Sequence, residues 1–148
     1  MEEPFYLKFT YPTEETFQSA EKVFEVFCRC KESNEWPEDV DYWRPVFGEE
    51  AMSKFWWPSP EEIKRWQKLY LATPVDQRQT HPDLQHPWDF LSMIDCLKDG
   101  DYEFVSFEKS GDGTGKLYYE PNSWPFGGTD SMKAYLESFG LRIIEELS

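Results

Sequence analysis

Phe5-Tyr6-Leu7-Lys8-Phe9-Thr10-Tyr11-Pro12-Thr13-Glu14-Glu15 is the stretch on which the fold turns. Phe5, Leu7, Phe9 and Tyr11 alternate with Tyr6, Lys8 and Thr10, the period of two of a strand with one face in the core. Pro12 ends it. Thr13 then caps a helix whose first turn carries Glu14 and Glu15, both favoured at the positive end of the helix dipole. Phe17, Ala20, Phe24, Phe27 and Cys28 recur at three- and four-residue spacing, so one apolar stripe runs to about Lys31. A strand followed directly by a helix opens the chain.

The same pattern returns after residue 87. A helix from Pro87 or Trp88 buries Phe90, Leu91, Ile94 and Leu97, and Gly100 is expected at its C′ position. Tyr102 to Glu108 and Lys116 to Glu120 read as strands joined by Ser110-Gly111-Asp112-Gly113-Thr114-Gly115, a hairpin connection. Thr129 caps a helix carrying Met132, Tyr135, Leu136 and Phe139, closed by Gly140, and 141–147 is a final strand. With the middle of the chain set aside, the order is β-α-β-β-α-β, the ferredoxin-like order of an α+β fold.

The middle, 33–87, has a different texture. Prolines 37, 45, 58, 60, 74, 82 and 87 punctuate it, and Trp36, Trp43, Trp56, Trp57 and Trp66 all lie between positions 36 and 66. The spacing predicts a helix over 49–57 with Met52, Phe55 and Trp56 on one side. Ser59-Pro60-Glu61-Glu62 is a helix start signal, with Ser59 as cap, Pro60 first and Glu62 closing a capping box. Ile63, Trp66, Leu69 and Tyr70 are expected to face inward. We read 33–87 as a Trp-rich helical insertion with a small core of its own, in a chain whose 148 residues form one domain.

Charge sets the functional limits. Fifteen Lys and Arg stand against 29 Asp and Glu, a net charge of -14. The carboxylates run the length of the chain, so the whole surface is negative. Such a field repels phosphate and anionic lipid, which argues against direct nucleic-acid or membrane binding and favours a basic protein partner. The acidic N-terminus carries no apolar signal segment, and no stretch reaches the length of a membrane span. The three cysteines, Cys28, Cys30 and Cys96, suit a reducing cytoplasm.

Catalytic sets are weak. His81 and His86 are five residues apart in a proline-bounded loop, which is not metal spacing, and His86 reads as a cap for the following helix. Cys28 and Cys96 lie on inward or half-buried helix faces, where thiol reactivity falls. The loop at 111–115 lacks the Lys and Ser/Thr of a phosphate cradle and the ligand pattern of a calcium loop. No catalytic residue, metal or cofactor is assigned.

Binding residues are the better candidates. Trp56 and Trp57, adjacent on one segment, cannot both point inward, and with Trp43 they stand among Glu35, Glu38, Asp39, Asp41, Glu49 and Glu50. In Pro121 to Asp130, Trp124 and Phe126 on a glycine-containing loop flank Asn122 and Asp130 and read as interface anchors. The expectation is an acidic intracellular protein-binding module of inhibitor or immunity type, monomer or homodimer, that neutralises a basic toxin or nuclease. The alternative is a ligand-binding or enzymatic domain with a pocket between insertion and sheet, lined by Trp56, Trp66, Tyr119 and Trp124.

Overall fold

Leu7 and Phe9 have no accessible surface, because the strand that carries them is central and one face of it lies against the helices. The computed structural model describes residues 5–122 and 129–147. Strand β1 (Phe5–Thr10) pairs antiparallel with β3 (Thr114–Pro121) on one side and β4 (Arg142–Leu147) on the other. Strand β2 (Tyr102–Gly111) pairs with β3, giving a four-stranded sheet in the order β2-β3-β1-β4. All three pairings are antiparallel, so the molecule is a mixed helix-and-sheet fold of α+β type. The hairpin is tighter than the sequence suggests: Asp112 and Gly113 alone join the strands, with Gly113 at φ 70°.

Helix α1 (Glu14–Ser33) starts at Thr13, whose hydroxyl accepts from the Thr16 amide while Thr16 reaches back to the Thr13 amide. Its stripe lays Phe17, Phe24 and Phe27 on the sheet. Phe27 is the hub of the core: its ring meets those of Trp36, Trp43, Phe47, Phe104 and Tyr135 within 4.9–6.1 Å. Aromatic pairs at these distances add to simple area burial, and the core is built largely of them. Helices α5 (Phe90–Asp99) and α6 (Asp130–Ser138) complete it with Phe90, Met93, Leu97, Met132, Tyr135 and Leu136.

The insertion divides into two unlike parts. Trp36, Trp43, Phe47, Ala51, Met52 and Phe55 belong to the main core and form no separate one. Helix α2 (Val40–Phe47) and the single turn α3 (Glu49–Met52) supply most of them. The helix expected over 49–57 therefore stops at Met52; a turn through Ser53 and Lys54 delivers Phe55 to the core instead. Beyond Trp57 the chain leaves the body. Helix α4 (Pro60–Ala72) has the full Ser59–Glu62 capping box, yet it buries none of its residues. Ile63 and Tyr70, expected inside, are exposed, and Leu71 is 77% exposed. Residues 58–87 are an outlying arm.

Two termini differ from expectation. Helix α5 begins at Phe90 with Asp89 as its cap, so His86 caps nothing there. Gly100 has φ -59° and is not a left-handed C′ residue. Glycine is required at 100 for another reason: a Cβ there would lie 2.2 Å from the Tyr102 ring. Among the described residues no helix is long and apolar enough to cross a membrane.

Candidate functional site

From the end of α1 to α3 the surface is almost wholly acidic. Glu32, Glu35, Glu38, Asp39, Asp41, Glu49 and Glu50 are all exposed, and Arg44 is the one cation between positions 32 and 50. Asp39 caps α2 by accepting from the Asp41 amide at 2.9 Å, which explains one carboxylate locally. The others point to solvent.

Two large aromatic side chains break this acidic belt. Trp57 is 43% exposed, but it is not loose. Its indole N–H donates to the Met52 carbonyl at 2.7 Å, its ring stacks over Phe90, and the Arg44 guanidinium lies 5.3 Å from its centre. Arg44 is also 3.7 Å from Asp41. Tyr42, 44% exposed, stands edge-on to Trp43 at 5.1 Å. Sequence reasoning passed over Tyr42; its place between Asp41 and Arg44 was the available signal. The Trp57 ring is held by contacts behind it, so little side-chain freedom remains to be lost there on binding.

Of the residues expected to bind, Trp57 is at the surface and Trp43 is buried. Trp43 has no accessible surface, and its indole N–H donates to the Pro37 carbonyl at 2.9 Å. It packs the core because it falls on the inner stripe of α2 with Phe47. Trp56 and Trp57 do part company: Trp56 turns toward the arm, half-buried, its ring 3.8 Å from that of His86 and nearly parallel to it. Trp66 meets both rings and donates to the Leu84 carbonyl at 3.0 Å. This aromatic stack fastens the arm to the body. Asn122 is exposed and its amide donates to the Asp101 carbonyl at 2.8 Å; Asp130 is exposed in the first turn of α6. Neither lines the hollow around Trp57. Trp124 and Phe126 lie outside the described residues.

The alternative pocket is not assembled as expected. Trp56 and Trp66 line a small cleft of about 270 Å³ with His86, but Tyr119 is absent from its walls and is buried in the core. Trp124 again falls outside the described residues. His81 is a local cap, its Nδ1 accepting from the Asp83 amide at 3.1 Å.

The thiols are poor nucleophiles for physical reasons. Burial pushes the Cys28 thiol up to about 11, with Glu32 and Glu25 adding to the shift. Burial likewise raises Cys30, and raises Cys96 with help from Asp95 and Asp99. Cys96 is exposed, not half-buried as its helix position suggested. Among the described residues, no cluster of three or more His, Cys, Asp and Glu side chains is placed to hold a metal ion.

Comparison with protein families, with characterised proteins and with solved structures returns no match for this chain.

Proposed function

We propose that this chain is a protein-binding module of inhibitor or immunity type that covers a basic surface of its partner, such as the groove of a toxin or nuclease. One observation carries the reading: along residues 32–50 seven carboxylates are exposed against a single cation, and that cation, Arg44, lies over Trp57, a half-exposed ring held by its indole hydrogen bond to Met52. Carboxylates of this density steer a basic partner in, and rigid aromatic side chains are the usual energetic anchors of an interface. The sheet order, with β1 and β3 central and β2 and β4 at the edges, supports reading the body as ferredoxin-like with a helical insertion. Three unpaired cysteines support placement in a reducing cytoplasm.

The test compares capture from native cell extract by the wild-type chain, by Glu35→Lys/Glu38→Lys/Asp41→Lys, and by Trp57→Ala. The reading expects a stoichiometric basic protein that the wild type retains at moderate salt and both variants lose. Retention of the same proteins by all three would sink it.

A further inference from the structure

The acidic belt contains a groove whose shape is more particular than its charge. Two hollows lie on either side of Gly48, and both are bounded by Gly48 and Glu49. The first, about 510 Å³, is walled by Pro45, Met52 and Trp57, with Arg44 and Glu49 at its edge. The second, about 600 Å³, lies between the start of α1 and α3, with Glu15, Glu49 and Glu50 against a single Lys54 and with Phe139 among its apolar walls. One hollow is apolar with an aromatic wall; the other is acidic.

Gly48 is the saddle between them. It has φ 86° and ψ 159°, a conformation open to glycine and strained for side-chain-bearing residues. No atom lies within 4 Å of the place a Cβ would occupy, so the flank facing outward is clear. Its own N–H is committed to the Arg44 carbonyl, and its carbonyl to the Met52 amide. The saddle is therefore rigid, smooth and without unsatisfied main-chain groups, a place where a second main chain can pass close by.

Resting on the protein-binding reading above, we propose that the two hollows act as one groove that receives an extended segment of the basic partner. An apolar side chain enters beside Trp57, and a lysine or arginine side chain enters between Glu15, Glu49 and Glu50. Charge complementarity selects this occupant. An acidic segment meets three carboxylates in the second hollow, and a purely cationic one leaves the Trp57 wall unused. Specificity then comes from the pairing of the two side chains, which the diffuse -14 charge cannot supply.

The test needs no knowledge of the natural partner. Two peptides of equal charge, Lys-Lys-Leu-Lys-Lys-Gly and Lys-Lys-Gly-Lys-Lys-Gly, are titrated into the isotopically labelled full chain at physiological ionic strength and followed by NMR. The leucine peptide is expected to bind at least about five-fold tighter, since burial of one aliphatic side chain is worth that much. Its shifts should centre on the Trp57 indole N–H and the Gly48, Glu49 and Ser53 amides. Trp57→Ala should erase the difference between the peptides, and Glu15→Gln/Glu50→Gln should weaken both. Ser53→Arg, an exposed change that leaves the aromatic wall standing, should do the same as Trp57→Ala if that variant folds poorly. Equal affinity for the two peptides, or shifts centred on the Trp66 cleft, overturns the groove. No stoichiometric capture by the wild type in the extract experiment, with an intact leucine preference, would instead discard the protein-inhibitor reading, so the two failures are separable.

Discussion

Tyr135 on α6 donates its buried hydroxyl to the carbonyl of Ala20 on α1, tying together two helices 115 residues apart in sequence. The bond crosses the centre of the aromatic core, and burial holds the phenol far above its ordinary pKa, with the Cys28 side chain adding to the effect. Tyr135→Phe keeps the ring contacts with Phe27 and Phe47 and removes only the hydroxyl. The expected cost is about 1 kcal/mol, read as a lower urea midpoint at unchanged slope. A neutral or stabilising change would show that the bond contributes nothing to helix docking.

Trp43 and Trp57 should separate folding from recognition. Trp43→Ala empties a site with no accessible surface at the meeting of α1, α2 and α5, and should cost about 3–5 kcal/mol. Trp57→Ala loses one indole hydrogen bond and part of a stack, and should cost about 1–2 kcal/mol. Thermal unfolding of the pair checks this. Equal destabilisation would mean that Trp57 is a core residue too.

The thiols should be sluggish. With all three raised by burial, and Cys28 at about 11, little thiolate is present near pH 8. Cys96 should label first with iodoacetamide because it is exposed, and Cys28 and Cys30 only after denaturant is added. Rapid labelling of Cys28 in the native chain would contradict the packing of α1.

Glu146 makes stability sensitive to acid. Burial pushes its carboxyl up, but hydrogen bonds from Lys133 at 2.5 Å and Thr129 at 2.6 Å, with the Lys133 charge, outweigh this and hold it below the usual glutamate range. A carboxyl lowered in the folded state adds stability above its unfolded pKa and forfeits it as pH falls through the folded value. The wild type should exceed Glu146→Gln by about 0.5–1 kcal/mol at neutral pH, since the pair is partly exposed. The gap should narrow as pH falls below the ordinary glutamate pKa and close once the folded-state carboxyl is protonated. A gap independent of pH would remove the ionic account.

The arm should open on its own. Helix α4 buries no residue and is held chiefly by the Trp56–His86–Trp66 stack, so its amides should exchange at least about ten-fold faster than those of α1. Trp66→Ala should speed exchange across residues 60–72 without lowering the global unfolding free energy by more than about 0.5 kcal/mol. Protection equal to that of α1 would place the arm in the cooperative core.

How much of this was legible in the chain depends on which force decides each residue. Local chemistry reads well: the alternation in β1, the Thr13 cap and the Ser59–Glu62 box all appear where the sequence places them. Periodicity reads only halfway. It says that Ile63, Trp66 and Tyr70 share a face of α4, but not that anything will cover that face. The same limit misplaced Trp43, because an aromatic side chain among carboxylates looks alike from either side of a helix until the packing partner is known. Thr129 shows a different limit: it precedes α6 as expected, yet its hydroxyl serves Glu146, a residue 17 positions on. The Gly48 saddle has no signature beyond a lone glycine, since its importance lies in the empty space beside it.

The amide of Trp56 donates to the carbonyl of Trp88 at 2.8 Å, so the two ends of the arm meet at its base. Between them the chain makes an excursion and returns to its starting point, having contributed Leu84 alone to the buried apolar set. Its charges also cancel internally, Glu61, Glu62, Asp76 and Asp83 against Lys64, Arg65, Lys68 and Arg78, which leaves the full -14 on the body. A segment that begins and ends at one point can be lengthened, shortened or exchanged without stretching the rest, because closing such a loop depends only weakly on its length. The body can therefore keep its fold and its field while the arm drifts, and residues 58–87 are the natural place to graft a reporter or a second binding element.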